Sequence, residues 1–578
     1  MKVPRVYLGA LPSRLVDRSA LAVVAVLALV VRFHGITVPV IWYDEAFSVL
    51  LARHEPWQIW SMTARDVHPP LYYLVLHYWM ILFGDGVLAV RSLSAIADVG
   101  TVLLSIKMMS LVATRRATWI AALLLALLPI SIRYSQEARM YTLLGFWLMG
   151  ATVALVCWIK ASERKQFAFI YVLLMTAAFY THYFAALCVL VHWFYWWWGR
   201  PGVSQTLLPV HRWILANAAI VVLFVPWLPH FIDQLSGRQG LEWIPPVTGQ
   251  AVFSLFWQVV MLNGEWAQWL GLRALPLLMV IAFAAILVWK DNTQHRFNSL
   301  LAAYLFIPIV VLAVVALFVP SFVPRYLVFA AAGLPLVIAV ALDVLTPRPS
   351  VLIFSVAIAV AVEIQGLQVV YRQTEELSGI GLRRVFGLAG LAAMIKQAAR
   401  PDDQVVLESL KLYVEFSYYN QTGIRPKFYI QSSSKTAQEI SYRNGYVLIY
   451  EGFSGDYLNN LETLKCHGRR VWWIAPKSDA KPLSEKDWEQ TLTLVDGEMA
   501  ASLFTSKAAP ISDEAGNPAT ATQPPLPAAQ ACPPSPQVYR SLTTENSGCT
   551  EPVRPPASSA APATPRGRWY PRRPRCAL

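Results

Sequence analysis

Apolar runs of about 17–25 residues, broken by short loops rich in Lys and Arg, recur along residues 1–370, and a run that long can cross a bilayer as a helix. Within a bilayer every backbone N–H and C=O must be satisfied inside its own segment or in a closed barrel. Runs this continuous lack the alternation of barrel strands, so the pattern admits a bundle of membrane helices and little else. Composition agrees. Of the 578 residues, 56% are hydrophobic and 14% charged, whereas a soluble domain carries about 25% charged residues. The 22 Trp and 24 Tyr suit the aromatic belts that anchor spans at headgroup depth, as where Tyr195-Trp196-Trp197-Trp198 closes one run.

The formal net charge of +13 does not signal nucleic-acid binding. Its Lys and Arg fall mainly in short loops and in the C-terminal tail, where orientation and anionic lipid account for them. The six cysteines show no CxxC or Cys/His spacing, so neither a zinc site nor a disulfide framework is expected. Lys2, Arg5, Arg14 and Arg18 precede the first run, which has no small-residue cleavage site. It reads as a retained helix with a cytoplasmic N-terminus.

Basic loops orient the remaining runs. Spans are expected at 19–36, 86–106, 117–132, 140–159, 166–182, 183–198, 213–230, 272–289, 297–319, 326–345 and 351–370. Runs 71–83 and 251–262 are too short to cross and read as interfacial covers on the outer face. The expected fold is an α-helical polytopic membrane protein of about eleven spans, with its C-terminus extracytoplasmic. Residues 371–505 change character, with strand-like runs at Gln404–Leu407, Lys427–Ile430, Tyr446–Tyr450 and Arg470–Ile474, which predicts a small external α/β domain. Residues 506–578 are rich in Pro, Ala, Ser and Thr and read as a disordered tail.

That topology gathers Asp44, Glu45, His68, Glu137, Arg139, His182, Arg325 and Tyr326 on one face. Carboxylates, imidazoles and guanidiniums together suit a reaction in which a base deprotonates an acceptor while cations stabilise a departing phosphate. Simpler readings stand beside this. Asp44 and Glu45 suit the first turn of an interfacial helix. His68-Pro69-Pro70 suits a stiff turn into a helix. Glu137 and Arg139 suit ordinary loop charges, and Arg325 a headgroup anchor.

The segment Tyr43-Asp44-Glu45-Ala46, His68-Pro69-Pro70-Leu71-Tyr72-Tyr73, Phe83-Gly84 and Arg91-Ser92-Leu93-Ser94 resembles the opening of the GT-C-type membrane glycosyltransferases. Its nearest branch holds the protein mannosyltransferases and the bacterial aminoarabinose lipid A transferase. Arg133 to Tyr141, Tyr180-Thr181-His182-Tyr183-Phe184 and Pro324-Arg325-Tyr326-Leu327 are similar to later signatures of bacterial members. The resemblance covers roughly residues 15–370, and more weakly those to about 505.

The resemblance implies a polyprenyl-phosphate-linked sugar donor, transfer on the periplasmic side of the inner membrane, and Asp44 as catalytic base. Glu45 and Glu137 are expected to be catalytic with it, Glu137 matching a second-loop acid that in relatives helps position acceptor or metal, and His68, Arg139, His182, Tyr183, Arg325 and Tyr326 are expected to bind the substrate. His68 stands where the lipid A transferase branch has lysine. The acceptor is left open among protein, lipid and polysaccharide. No cofactor is required, although Glu137 with Asp44 or Glu45 could hold a divalent cation. The rival functions are a transporter or flippase for a lipid-linked sugar, and a non-catalytic envelope subunit.

Overall fold

Prolines and charged flanks set the helix boundaries of the membrane region. The computed structural model describes residues 13–198, 207–236, 244–262, 269–374 apart from 292 and 294, 387–430, 448, 457–458, 460–465, 468–478 and 483–507. The first ten helices are α1 (Ser13–Phe33), α2 (Tyr43–Ala52), α3 (Pro56–Ala64), α4 (Leu71–Phe83), α5 (Val87–Val112), α6 (Arg115–Leu127), α7 (Pro129–Ser135), α8 (Tyr141–Lys160), α9 (Lys165–Thr181) and α10 (Ala185–Trp198). They are followed by α11 (Val210–Phe224), α12 (Leu228–Ser236), α13 (Gly249–Met261), α14 (Leu270–Lys290), α15 (Phe297–Val315), α16 (Val328–Ala331), α17 (Gly333–Leu345) and α18 (Pro349–Arg372).

Six helices among the described residues are long and apolar enough to cross a membrane, or eight if each of two bent pairs is one span. The eleven expected spans comprise those eight together with α1, α9 and α10. Helix α1 carries Arg14, Asp17, Arg18 and Arg32, while α9 and α10 have 17 and 14 residues. The two runs expected to be covers are α4 and α13, each a 13-residue helix.

One of the two bent pairs has a proline as its physical cause. Helices α6 and α7 meet at 50° around Leu128-Pro129, where proline removes one helical N–H and crowds the preceding turn. The guanidinium of Arg32 crosses from α1 to catch carbonyls freed there, at 2.8 Å from Ala126 O and 3.4 Å from Leu125 O. Asp98 of α5 neutralises Arg32 at 2.7 Å and accepts from Ser131 Oγ at 2.8 Å. Arg32 and Asp98 are thereby paired, whereas buried Glu363 of α18 leaves its Oε2 without a hydrogen-bond partner among the described residues. The second pair, Pro324–Ala331 and Gly333–Leu345, bends by 40° and presents Arg325 at its start.

Beyond α18 lie α19 (Leu388–Ala398), α20 (Leu410–Tyr419) and a six-stranded sheet. Its strands are β1 (Gln404–Leu407), β2 (Pro426–Tyr429), β3 (Tyr457–Leu458), β4 (Arg470–Pro476), β5 (Trp488–Asp496) and β6 (Met499–Ser506), in the order β3-β2-β1-β4-β6-β5. The first four are parallel, and β6 and β5 add antiparallel strands at one edge. Strand β1 is buried throughout and β4 nearly so, as expected of central parallel strands.

Three of the four expected strand runs are therefore present, and β3, β5 and β6 are additional. The fourth, Tyr446–Tyr450, lies outside the described residues except for Leu448, as does the tail beyond Lys507. Helix α20 rests on α2, with Ile41 N donating to Tyr419 Oη at 2.6 Å and Tyr418 Oη donating to Asp85 O at 3.2 Å.

Candidate active site

Helix α2 starts where extended Trp42 gives way to Tyr43, which places Asp44 and Glu45 in its first turn. Carboxylates there face the positive end of the helix dipole. Neighbours on a helix point about 100° apart, and these two part company. Glu45 is fully buried and gripped by Arg91 of α5, Nε to Oε1 at 2.8 Å and Nη2 to Oε2 at 2.7 Å. Arg91 also donates to the carbonyls of Ile36, Pro39 and Val40 at 2.7, 2.8 and 3.0 Å, so one guanidinium fixes the whole approach to α2.

Asp44 keeps 23% of its side chain exposed and faces cations. Arg325 Nη1 lies 3.3 Å and Arg139 Nη2 3.7 Å from its Oδ2. Arg139 further donates to Ser48 Oγ at 3.1 Å and to Asp44 O at 3.3 Å. Burial works against the charged Arg139 guanidinium, yet Asp44 holds its pKa well above the ordinary value. The two guanidiniums also lie over tyrosine rings, Arg139 at 5.9 Å from the Tyr141 centroid and Arg325 at 5.8 Å from that of Tyr326.

The turn that delivers Arg139 is held from several directions. Gln136 Nε2 donates to His34 O at 2.8 Å and to Arg32 O at 3.0 Å. Ala138 N donates to Glu45 Oε1 at 2.8 Å, and Ser94 Oγ to Arg139 O at 3.1 Å. Glu137 is 1% exposed, and Arg133 holds its carboxylate at 2.8 Å. An aromatic wall completes the site. Tyr326 packs against Tyr141, His182 and Phe184, with centroids 6.2, 5.7 and 4.8 Å away.

His182 caps the C-terminal end of α9, and its Nδ1 accepts from Phe184 N at 3.2 Å. Burial, with His68, Arg139 and Arg325 nearby, pushes its pKa well below the usual value, so the ring is neutral. His68 lies 5.5 Å from His182, ring to ring, and its Nδ1 is 3.6 Å from buried Asp66.

Most residues expected at the site are thus together. Asp44, Arg139, Arg325, Tyr326, His182 and His68 form one contact chain. Glu45 and Glu137 lie behind it, engaged by arginines. Tyr183 points elsewhere: its hydroxyl meets Gln234 and accepts from Trp227 Nε1 at 2.9 Å. Arg91, Ser48, Tyr141 and Asp66 were not expected at the site. An arginine inside the apolar run 86–106 was the available signal for Arg91.

The carboxylates that could ligate a divalent ion each face a guanidinium. No group of three or more His, Cys, Asp or Glu side chains suited to a metal occurs among the described residues. This arrangement does not fit a metal centre.

No family model matches the sequence, and no curated protein matches it. Among solved structures, ArnT from Cupriavidus metallidurans in the apo state is similar at a TM-score of 0.59 and 14% identity, covering 84% of this chain and 98% of that one. ArnT from the same organism bound to undecaprenyl phosphate is similar at 0.57 and 15% identity, covering 83% and 97%. The expected GT-C-like fold is the one this chain adopts.

Proposed function

We propose, from the GT-C-like fold and the Asp44 turn it carries, that the protein is a membrane glycosyltransferase. It moves a sugar from a polyprenyl-phosphate donor to an acceptor hydroxyl on a protein, lipid or polysaccharide. One observation carries the reading: a partly open carboxylate at a helix N-terminus, flanked by two buried arginines on tyrosine rings. ArnT, of similar fold, has been solved bound to undecaprenyl phosphate, which supports a lipid phosphate as ligand here. The long apolar helices make the chain a multi-pass membrane protein. Placing it in the inner membrane, with its N-terminus cytoplasmic and the site outside, belongs to this proposal.

In the proposed reaction Asp44 accepts the proton of the acceptor hydroxyl. The acceptor oxygen bonds to the anomeric carbon as the bond from that carbon to the phosphate oxygen breaks, with inversion. Arg139 and Arg325 pass from Asp44 to the departing phosphate, whose oxygens a planar guanidinium can bond in pairs. As their charge shifts to phosphate, the Asp44 carboxylate is freed to act as base. Glu45 and Glu137 act as positioning residues, through Arg91 and the Ala138 amide in one case and Arg133 in the other. His68 and His182 line the substrate side. No step needs a metal.

A flippase or transporter would need charge available deep among the helices. Of the two buried carboxylates such a path could use, Asp98 is engaged by Arg32 and Ser131, which leaves Glu363 alone to carry it. A non-catalytic subunit leaves the Asp44 cluster without a purpose. Asp44→Asn tests the proposal: release of polyprenyl phosphate from a labelled polyprenyl-phosphate sugar should fall by about 10²–10⁴-fold. Wild-type turnover by this variant would refute the base assignment.

A further inference from the structure

Helix α2 lacks a cap of its own. Its first turn leaves N–H groups without carbonyl partners, and Trp42 before it carries no side-chain acceptor. Two side chains of α20, one helical turn apart, reach this stretch from the sheet domain. Tyr419 Oη accepts from Ile41 N at 2.6 Å, and the Glu415 carboxyl accepts from the Tyr43 amide. Arg91 takes the carbonyls of Ile36, Pro39 and Val40 from the membrane side. The segment entering α2 is thus held by its acceptors from one domain and by its donors from the other.

The far end of α2 meets the same helix. Arg53, at the C-terminal cap of α2, lies over the Tyr418 ring at 5.9 Å and pairs with Asp85 at 2.8 Å. Tyr418 Oη donates to Asp85 O at 3.2 Å, which ties the turn between α4 and α5 into the same contact. Contacts that only seat the sheet domain could fall anywhere on the bundle. Here they bracket the one helix that carries Asp44.

We infer that the sheet domain takes part in the reaction as a positioning element, Tyr419 with Glu415 and Tyr418 fixing the backbone that carries Asp44. This rests on the proposed glycosyltransferase function. Asp44 directly follows Tyr43, so a shift of the held segment passes to its carboxylate. A misplacement of about 1 Å can cost on the order of 10²-fold in rate. Arg139 and Arg325 reach the site from other segments, so the phosphate side is not held by α20.

Tyr419→Phe removes only the acceptor of Ile41 N. The full-length protein would be compared with wild type by backbone deuterium exchange and by release of undecaprenyl phosphate from a panel of undecaprenyl-phosphate hexoses and pentoses, with cell-envelope extract supplying the acceptor. Exchange over residues 41–48 should quicken by about fivefold or more, and that of α5 should not change. The kcat should fall by about 10- to 100-fold, with KM for the donor and binding of sugar-free undecaprenyl phosphate within about twofold of wild type. Trp473→Phe is the control. Its ring packs on the sheet face opposite α20, so it should lower the melting temperature and leave both kcat and α2 exchange as in wild type.

Unchanged α2 exchange in Tyr419→Phe overturns the inference and leaves the proposed function intact. Faster exchange with wild-type kcat does the same, by making α20 a structural tie alone. An equal loss of kcat in Trp473→Phe also overturns it, because activity then follows domain stability. Absence of release by the wild-type protein across the panel overturns the proposed function and this inference with it.

Discussion

Replacing Glu45 by Gln keeps the shape of the side chain and removes its charge from the Arg91 pair. Arg91 is then left fully buried with three carbonyl acceptors and no counter-charge. Two charge-assisted bonds are at stake, at 2.7 and 2.8 Å, each worth about 1.5–3 kcal/mol. A Gln oxygen in the place of Oε1 can still accept from both Arg91 Nε and Ala138 N, but the amide NH2 then faces Arg91 Nη2, donor against donor. Losing one bond and the ionic attraction gives about 3 kcal/mol, the low end of the range for breaking a buried pair.

Thermal unfolding of the detergent-purified protein, followed by size-exclusion fluorescence, would measure that loss. Arg91→Met strands the carboxylate instead and should cost about 3–5 kcal/mol. The double variant Glu45→Leu with Arg91→Met removes both charges and should be less destabilised than the sum of the two single changes. If Glu45→Gln melts with the wild type, or if the two single losses simply add, the pair is not the fastening argued for here.

Two further outcomes are expected. Arg325→Lys keeps the charge but loses the planar fork and the tyrosine stacking, and should lower kcat/KM by about 10-fold or more in the release assay. Glu415 of α20, 4% exposed, has its pKa raised to about 7, chiefly by burial and also by Asp44, with Lys411 and the Tyr43 amide opposing. A raised carboxyl contributes stability fully present below about pH 4.5 and lost as pH rises through about 7, on the order of 3 kcal/mol here. The melting temperature should therefore fall across that window, and Glu415→Gln should flatten the profile.

What the sequence revealed depended on where charge meets hydrocarbon. Asp44, His68, Arg139, His182, Arg325 and Tyr326 were legible because each stands at the end of an apolar run, where a polar group needs a reason. Glu45 looked equivalent to Asp44 in one dimension. Only the helical rotation between adjacent residues, and an arginine 46 positions away, separate a buried fastening from an open carboxylate. Asp98 read as an unpartnered charge inside a run until the Pro129 break brought Arg32 and Ser131 to it. Tyr183 looked like a companion of His182, but the chain leaves α9 between them and sends the two rings to different neighbours. Strand β5 reads Trp-Glu-Gln-Thr-Leu-Thr-Leu-Val-Asp, mostly solvent-facing at a sheet edge, and offers no hydrophobic run to detect.

The Asp44–Arg325 contact joins residues 281 apart in sequence. At a synthesis rate of about 5–20 residues per second, roughly 15–55 s elapse between the ribosome adding the acid and adding the base that faces it. During that interval Asp44 and the nascent Arg139 must already be in the bilayer's margin, with the later helices still unmade. The Asp44 corner is consequently among the last places in this protein to mature, and a chain truncated before residue 325 would insert most of its helices yet never complete that corner.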